Sequence, residues 1–360
     1  MKITIFISGV TGGGAEKVTC SIASYLVGKG HDIELLTMSD ELPTYPLDCK
    51  VSRCCLLKES ERKNFFVNNI LRLLRFVQYL VIRRPDVYLA MLPTNIITLL
   101  SMRFLTKSRI IAAERANPNS YKEKIQKKLA RLADKADGWV FQTNEQQKWY
   151  MSHVNLKRKL VIPNAINPDV IKQHFCGERE KIIVTAGRLT NQKNHTMLIN
   201  AYAKIANKHK DYNLVIYGEG PNRIKLEEQI KKLKLNGRVF LPGYSSEVIT
   251  NVSKSSLFVL SSDFEGMPNA LMEAMAMGVP SISTDCGGGG AKFLIENEKN
   301  GLLVPIGDVD ALASAMDRVL SDRAFSEKIS KKARTLCKTL APDVIYGQWE
   351  RFLDEVVNIK

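Results

Sequence analysis

Short apolar runs alternate with longer helix-period stretches from one end of the chain to the other, and this rhythm admits little besides a parallel α/β architecture. Runs near 2–7, 33–38, 86–90, 109–113, 138–142 and 160–162 predict six strands in the first half, with helices between them. Pro163-Asn164-Ala165-Ile166-Asn167-Pro168 breaks the rhythm, and a polar stretch runs on to Glu180. The alternation restarts at Lys181-Ile182-Ile183-Val184-Thr185-Ala186, with further strands expected near 213–217, 238–241, 256–261, 279–283 and 302–304. Helices are expected at about 308–320, 324–338 and 343–358. The expected fold is two doubly wound, Rossmann-like α/β domains facing across a cleft, with ligands beyond the carboxyl ends of the strands.

Composition sharpens this. The chain has 360 residues, 45% hydrophobic and 25% charged, which excludes wholesale disorder and fibrous folds and leaves apolar side chain enough for two cores. Seven cysteines (Cys20, Cys49, Cys54, Cys55, Cys176, Cys286 and Cys337) are odd in number and scattered, with no Cys-x-x-Cys pair. That speaks against a disulfide framework or zinc site and for a reducing cytosol. Met1 to Ile7 is apolar too briefly for a signal peptide. The richest apolar stretch, Val87 to Leu105, is interrupted by Pro93, Asn95 and Arg103, so no membrane-spanning helix is expected.

The net charge of +15 sits in one block: residues 50–159 hold 23 Lys and Arg against 8 Asp and Glu, and the flanking segments cancel. Two stretches there have helical apolar spacing. Arg62 to Arg84 interleaves Phe65, Phe66, Ile70, Leu71, Leu74, Val77, Leu80 and Val81 with Arg72, Arg75, Arg83 and Arg84. Tyr121 to Lys135 interleaves Ile125, Leu129 and Leu132 with Lys122, Lys124, Lys127, Lys128 and Arg131. Either is a solvated helix whose apolar stripe faces its own core, or a helix lying on anionic lipid. No aromatic-plus-basic motif or recognition helix points to nucleic acid.

Several strand-end loops carry chemistry. The first strand ends in Ser8-Gly9-Val10-Thr11-Gly12-Gly13-Gly14-Ala15-Glu16, a glycine-rich turn into a helix, suited to an anion. Its spacing fits neither the dinucleotide fingerprint nor the P-loop. Gly187-Arg188-Leu189-Thr190-Asn191-Gln192-Lys193-Asn194 brings two cations to the mouth of the next helix, as a diphosphate needs, with Asn194 as its N-cap. Tyr217-Gly218-Glu219-Gly220-Pro221 gives a second point of close backbone approach. The strongest signal is Ser261-Ser262-Asp263-Phe264-Glu265-Gly266-Met267-Pro268-Asn269-Ala270-Leu271-Met272-Glu273, continuing to Gly278 and Pro280. A loop acid and a helix acid can face one pocket and accept hydrogen bonds from sugar hydroxyls, while the helix start at Pro268 offers N–H groups to phosphate.

Taken in order, these motifs resemble the retaining family-4 glycosyltransferases of the GT-B fold. The likeness runs the length of the chain: Gly-Gly-Ala-Glu (13–16), Pro-Asn (163–164), Gly-Arg…Lys-Asn (187–194), Gly-Glu-Gly-Pro (218–221), Arg238-Val239-Phe240-Leu241-Pro242-Gly243, and the Glu-x7-Glu segment. It implies that Arg188 and Lys193 hold the donor's pyrophosphate and that Glu273 binds the ribose. It implies that Arg238 flanks the base with the turn around Leu241. Glu265, with the backbone of Gly266, Pro268, Asn269, Ala270 and Leu271, would hold the donor sugar and phosphates. The glycine turns at Gly13, Gly14, Gly187 and Gly218 would admit the nucleotide sugar. Many relatives place a His after the 109–113 strand; here Arg115 stands in Ala113-Glu114-Arg115-Ala116-Asn117-Pro118. Among the histidines only His195 follows a motif, and a helix-surface place is expected for it.

By this resemblance residues 1–168, with a returning helix at 341–360, bind the acceptor and face the membrane, and 169–340 bind the donor. The expected catalytic residues are Glu265, for positioning and electrostatics, and Arg188 and Lys193, for charge. No Asp-x-Asp motif stands in the 187–194 or 261–280 segments, so no metal or other cofactor is expected beyond the nucleotide-sugar substrate, most simply a UDP-sugar. The expected reaction moves a hexose or N-acetylhexosamine to an undecaprenyl diphosphate-linked glycan in bacterial polysaccharide, lipopolysaccharide or glycan assembly. The place would be the cytoplasmic face of the inner membrane, held by the basic block 50–159 on an anionic surface, with no nucleic-acid partner. A GT-B-shaped sugar-nucleotide epimerase and a non-catalytic membrane-binding protein are the alternatives.

Overall fold

The structure, a computed structural model, describes residues 1–173, 175 and 177–358. His174, Cys176 and the last two residues of the expected 341–360 segment lie outside the described residues. The chain forms two compact units, Met1–Ala165 with Asp343–Lys360, and Ile166–Pro342.

The first unit runs β1 (Lys2–Ile7), α1 (Gly14–Gly28), β2 (Asp32–Thr37), β3 (Ser52–Cys55), α2 (Phe65–Ile82), β4 (Val87–Met91), α3 (Pro93–Ser101), β5 (Arg109–Ala113), α4 (Glu123–Leu132), β6 (Gly138–Phe141), α5 (Asn144–Met151) and β7 (Lys159–Val161). All seven strands are parallel, in the order β3-β2-β1-β4-β5-β6-β7. Every residue of β4 is buried, the mark of a central strand covered on both faces. The edge strand β3 is absent from the sequence expectation because Ser-Arg-Cys-Cys is no apolar run; at an edge it needs none. The core gathers large rings, with Phe6 stacked on Phe76 at 4.8 Å and Trp139 against Tyr150 at 4.5 Å.

The second unit runs α6 (Pro168–Lys172), β8 (Glu180–Ala186), α7 (His195–Ile205), β9 (Asn213–Tyr217), α8 (Arg223–Lys232), β10 (Val239–Gly243), α9 (Val248–Lys254), β11 (Ser255–Leu260), α10 (Asn269–Ala276), β12 (Ser281–Thr284), α11 (Gly290–Leu294), β13 (Leu302–Val304), α12 (Val309–Ser321), α13 (Arg323–Ala333) and α14 (Leu336–Thr339). Its parallel sheet has the order β10-β9-β8-β11-β12-β13. The side chains of Asp308 and Asp322 cap α12 and α13, accepting from the N–H groups of Ala311 and Phe325. The single helix expected at 324–338 is therefore two, α13 and α14.

The last helix, α15 (Pro342–Val357), returns to the first unit. Ile345, Trp349, Phe352, Leu353 and Val356 form its buried stripe at helical spacing. Phe352 and Val356 press so closely on Gly138 of β6 that a Cβ there would meet them at 3.0–3.2 Å. Each such burial contributes about 1.5–3 kcal/mol.

The two basic helices differ. On α4 the apolar residues turn inward: Leu129 and Leu132 are buried and Ile125 packs against the core. On α2 only Phe76, Tyr79 and Leu80 are buried, whereas Phe65, Phe66, Ile70, Leu73, Leu74, Val81 and Ile82 are exposed. Among the described residues α2 is the one helix with the length and apolar composition of a membrane span, in a stretch expected to be a basic amphipathic helix. Arg72 and Arg75 interrupt its apolar run.

Candidate active site

In the second unit the sheet order doubles back between β8 and β11, since β9 and β10 extend on one side and β12 and β13 on the other. Loops beyond the carboxyl ends of strands at such a reversal meet to form ligand sites. The two loops that meet here are 187–194 and 261–268, the two strongest sequence motifs.

They are wired together. Lys193 Nζ lies 2.7 Å from Glu265 Oε1, both side chains being largely buried. Ser262 Oγ donates to the same Oε1 at 2.8 Å, and Oε2 takes neither bond. Gln192 Nε2 donates to the Phe264 carbonyl at 2.9 Å, and the Asp263 N–H donates to the Gln192 carbonyl at 2.9 Å. Asn194 sits in the left-handed region (φ 43°), caps α7 by accepting from the Met197 N–H, and donates to Asp263 Oδ1 at 2.8 Å. Ser261 Oγ donates to the Lys193 carbonyl at 2.9 Å. Gln192, Ser261, Ser262 and Asp263 stand inside the two motifs but were given no role; their adjacency to Lys193 and Glu265 was the available signal. Nearby, burial first and the Glu265 carboxylate second push the Cys286 thiol up to about 12.

Beside this pair, Arg188 is exposed and, among the described residues, has no acid paired with it. The neighbouring loops are joined by backbone bonds from the Gly187 N–H to the Tyr217 carbonyl (3.0 Å), Leu189 to Glu219 (2.9 Å) and Gly218 to Gly243 (2.9 Å). Gly218 has φ +131°, and a Cβ there would stand 2.1 Å from the Gly187 carbonyl oxygen. The glycine is thus required by a neighbouring loop. Arg223, also missed, holds Glu219 through two bonds and donates to the Leu241 carbonyl at 3.1 Å. Pro268 is the N-cap of α10, so the helix starts at Asn269, followed by Ala270 and buried Leu271. Glu273 lines a small recess of about 30 Å³ with Ala186, Val248, Ile249 and Ala270. Glu265 is not among the walls of that recess.

Two expectations are corrected. Arg238 precedes β10, at the opposite end of the strand from Gly243, and its Nη2 donates to the carbonyls of His209 (2.9 Å) and Tyr212 (2.8 Å) beneath the sheet. Its guanidinium lies 5.8 Å over the Tyr202 ring; it clamps the α7–β9 connection and flanks no base. His195 is buried, not on a helix surface, and burial, then Lys193, pushes it down to about 4. At the glycine-rich turn, α1 starts at Gly14, and a Cβ on Gly13 would stand 1.9 Å from Glu16 Oε2. The chain's own Glu16 carboxylate lies beside Gly13.

In the first unit the loop after β5 is anchored by Glu114. Its carboxylate accepts from Tyr121 (2.6 Å), Tyr150 (2.5 Å) and the N–H groups of Arg115 and Ala116, and burial pushes its pKa up. Arg115 is buried too, donates to Asn164 and lies 5.9 Å from the Trp349 ring of α15. Burial pulls its pKa down to about 10, and its Nε and Nη1 have no hydrogen-bond partner.

Comparisons with known proteins agree with one another. The family model described as Glycosyltransferase Family 4 matches residues 12–170, and that described as Glycosyl transferases group 1 matches residues 167–336. The chain is 28% identical over 365 residues to the Campylobacter jejuni "GalNAc-alpha-(1->4)-GalNAc-alpha-(1->3)-diNAcBac-PP-undecaprenol alpha-1,4-N-acetyl-D-galactosaminyltransferase", covering 99% of each chain. It is 25% identical to the amylovoran biosynthesis glycosyltransferase AmsD of Erwinia amylovora, covering 98% of this chain and 99% of that one. In fold it is similar to Anabaena Alr3699/HepE, crystallised in complex with UDP, with a TM-score of 0.80 at 17% identity over 99% of this chain and 100% of that one.

Proposed function

The chain belongs to glycosyltransferase family 4, with the GT-B fold, and from that premise we propose a retaining transferase that moves a hexose or N-acetylhexosamine from a UDP-sugar to a lipid-linked glycan. The setting is assembly of bacterial surface polysaccharide, lipopolysaccharide or a lipid-borne glycan. The relatives support this: one is named for an undecaprenol diphosphate acceptor and another for amylovoran biosynthesis. UDP bound to the Anabaena protein favours UDP over GDP.

The observation that carries the reading is the Lys193–Glu265 pair at the strand reversal, with exposed Arg188 beside it and the start of α10 following. As the anomeric carbon parts from the β-phosphate oxygen, negative charge grows on the departing diphosphate. Arg188, Lys193 and the N–H groups at the start of α10 meet that charge without calling on a metal ion. Glu265 acts by position: Oε1 is engaged by Lys193 and Ser262, and Oε2 remains to accept a sugar hydroxyl. Glu273 takes the ribose. The first unit takes the acceptor, with the basic block 50–159 and the exposed face of α2 holding the protein on the cytoplasmic surface of the inner membrane.

A panel of nucleotide sugars tests the donor. The true donor at 100 times its Kd adds about 2.7 kcal/mol of stability, read as a thermal shift. Transfer of labelled sugar to a prenyl diphosphate-linked glycan tests the reaction, and Arg188→Ala lowers kcat about 100-fold or more. Conversion of the donor to another sugar with no acceptor present would turn the assignment to an epimerase.

A further inference from the structure

The sheet of the first unit doubles back between β1 and β4, since β2 and β3 extend on one side and β5, β6 and β7 on the other. Beyond the carboxyl ends of β5, β6 and β7, four buried side chains form a polar shelf: Arg115, Gln142, Gln146 and Asn164. Asn164 Oδ1 accepts from both Arg115 Nη2 and Gln142 Nε2, the latter at 2.9 Å. Gln146 Oε1 accepts from the Gln142 N–H at 2.7 Å, and its Nε2 donates to the Ala116 carbonyl at 3.1 Å. This is the edge at which a doubly wound sheet holds ligands.

One member of the shelf is left short. Arg115 is only 7% exposed, yet its Nε and Nη1 have no hydrogen-bond partner. A buried cation with unmet donors is costly, and a carboxylate ordinarily answers it. Elsewhere in the same unit that is the case: Arg103 and Arg109 share Asp137 at 3.3 and 3.2 Å. Beside Arg115 it is not. Glu114 commits its carboxylate to the hydroxyls of Tyr121 and Tyr150 and to the N–H groups of Arg115 and Ala116. Those four bonds anchor the loop, and with the Trp349 ring 5.9 Å from the guanidinium they fix where the charge stands. The residues that follow, Ala116, Asn119 and Ser120, are half-buried or exposed, so a ligand has an approach from that side. The fold holds a cation in place and leaves out its counter-ion.

We propose that Arg115 receives the carboxylate of a uronic acid in the acceptor glycan, with Asn164 and Gln142 keeping the guanidinium in position. The inference rests on the reading that the first unit takes the acceptor, and adds which class of sugar it selects. The shelf carries a single cation, so a single negative charge balances it. A phosphate ester, with a charge of about −1.5 to −2 at neutral pH, would leave an excess buried. A neutral hexose could meet the donors with hydroxyls but would leave the charge unanswered, whereas a carboxylate meets both through charge-assisted bonds. The selection is for an acidic sugar over its neutral counterpart.

The test uses the full chain with UDP at saturation, and titrates the methyl α-glycosides of galacturonic acid, glucuronic acid, galactose and glucose with saturation-transfer NMR as the readout. One of the uronides is expected to bind about tenfold more tightly than its neutral counterpart, the value of one charge-assisted hydrogen bond. Arg115→Gln is expected to erase that difference and Arg115→Lys to keep part of it. Asn164→Asp, which sets a carboxylate of the chain's own against the guanidinium, is expected to erase it as well, with a melting temperature at or above the wild type. All three variants should keep the wild-type thermal shift with UDP. A difference that survives in Arg115→Gln and Asn164→Asp, or none in a wild type that UDP still stabilises, overturns the assignment to Arg115. If UDP-glucuronate instead outbinds UDP-glucose about tenfold and Arg115→Gln removes that advantage, the acid belongs to the donor and the acceptor assignment falls. No UDP stabilisation together with no sugar transfer to any prenyl diphosphate-linked glycan would overturn the proposed function itself.

Discussion

The two units are built on the same parallel sheet and put their charge to different use. In the second, the cations and acids at the strand ends are mutually fixed: Lys193 on Glu265, Arg223 on Glu219, Asn194 on Asp263. In the first, Arg72 and Arg115 keep buried donor atoms unpartnered, and α2 leaves its apolar side uncovered. A preorganised cluster suits a small, highly charged donor that must be held in one geometry. Unsatisfied donors beside apolar surface suit a partner that brings its own anion and its own hydrocarbon.

The sharpest way to break this contrast is Lys193→Ala. It strips Glu265 of its cation and the donor of a phosphate ligand, and kcat is expected to fall by about 10²–10³-fold in a transfer assay. Arg75→Ala, which frees Glu61 in the first unit, should leave kcat within about threefold, since exposed pairs contribute little. Equal losses would erase the distinction. Next comes acid. The unfolded chain protonates His195 near 6.5 and the folded chain only near 4, so stability is whole above pH 6.5 and is lost as pH falls toward 4. The loss attributable to this group reaches about 3 kcal/mol. Urea midpoints should show it, and His195→Gln should flatten the profile.

Gly218→Ala probes the wiring itself. Its Cβ would collide with the Gly187 carbonyl from a backbone angle that side chains avoid, so about 2–3 kcal/mol of stability should go. Stability unchanged in chemical denaturation would mean that the loops are not locked. The smallest effects belong to the surface. Phe65→Ser with Phe66→Ser should leave stability within about 0.5 kcal/mol yet weaken binding to anionic vesicles about tenfold. Lys124→Gln on α4 should cost only a few-fold, at about 1 kcal/mol per basic residue near a membrane. An α4 effect exceeding that of α2 would reverse the order drawn here.

The parallel strands were legible because buried central strands must be apolar throughout, as in β4 and β6. β3 was not, because an edge strand of Ser-Arg-Cys-Cys satisfies its bonds on one side and needs no apolar signature. Lys193 and Glu265 were legible because loop, glycine, proline and acid recur at fixed offsets. What pairs with them was not: the link from Lys193 to Glu265 spans 72 residues, and no local rule predicts it. Arg238 misled for a related reason. A strand's two ends look alike in sequence, but the carboxyl end faces ligands and the amino end faces supporting connections. α2 and α4 read almost identically as basic amphipathic stretches, and only packing decides which apolar face finds a core.

One consequence follows from α15. Its Trp349, Phe352 and Leu353 complete a core whose other parts were made some two hundred residues earlier. During synthesis the second unit can therefore finish folding while the first, still lacking its closing helix, waits. A stop codon placed just before Asp343 would spoil the unit whose strands were made first.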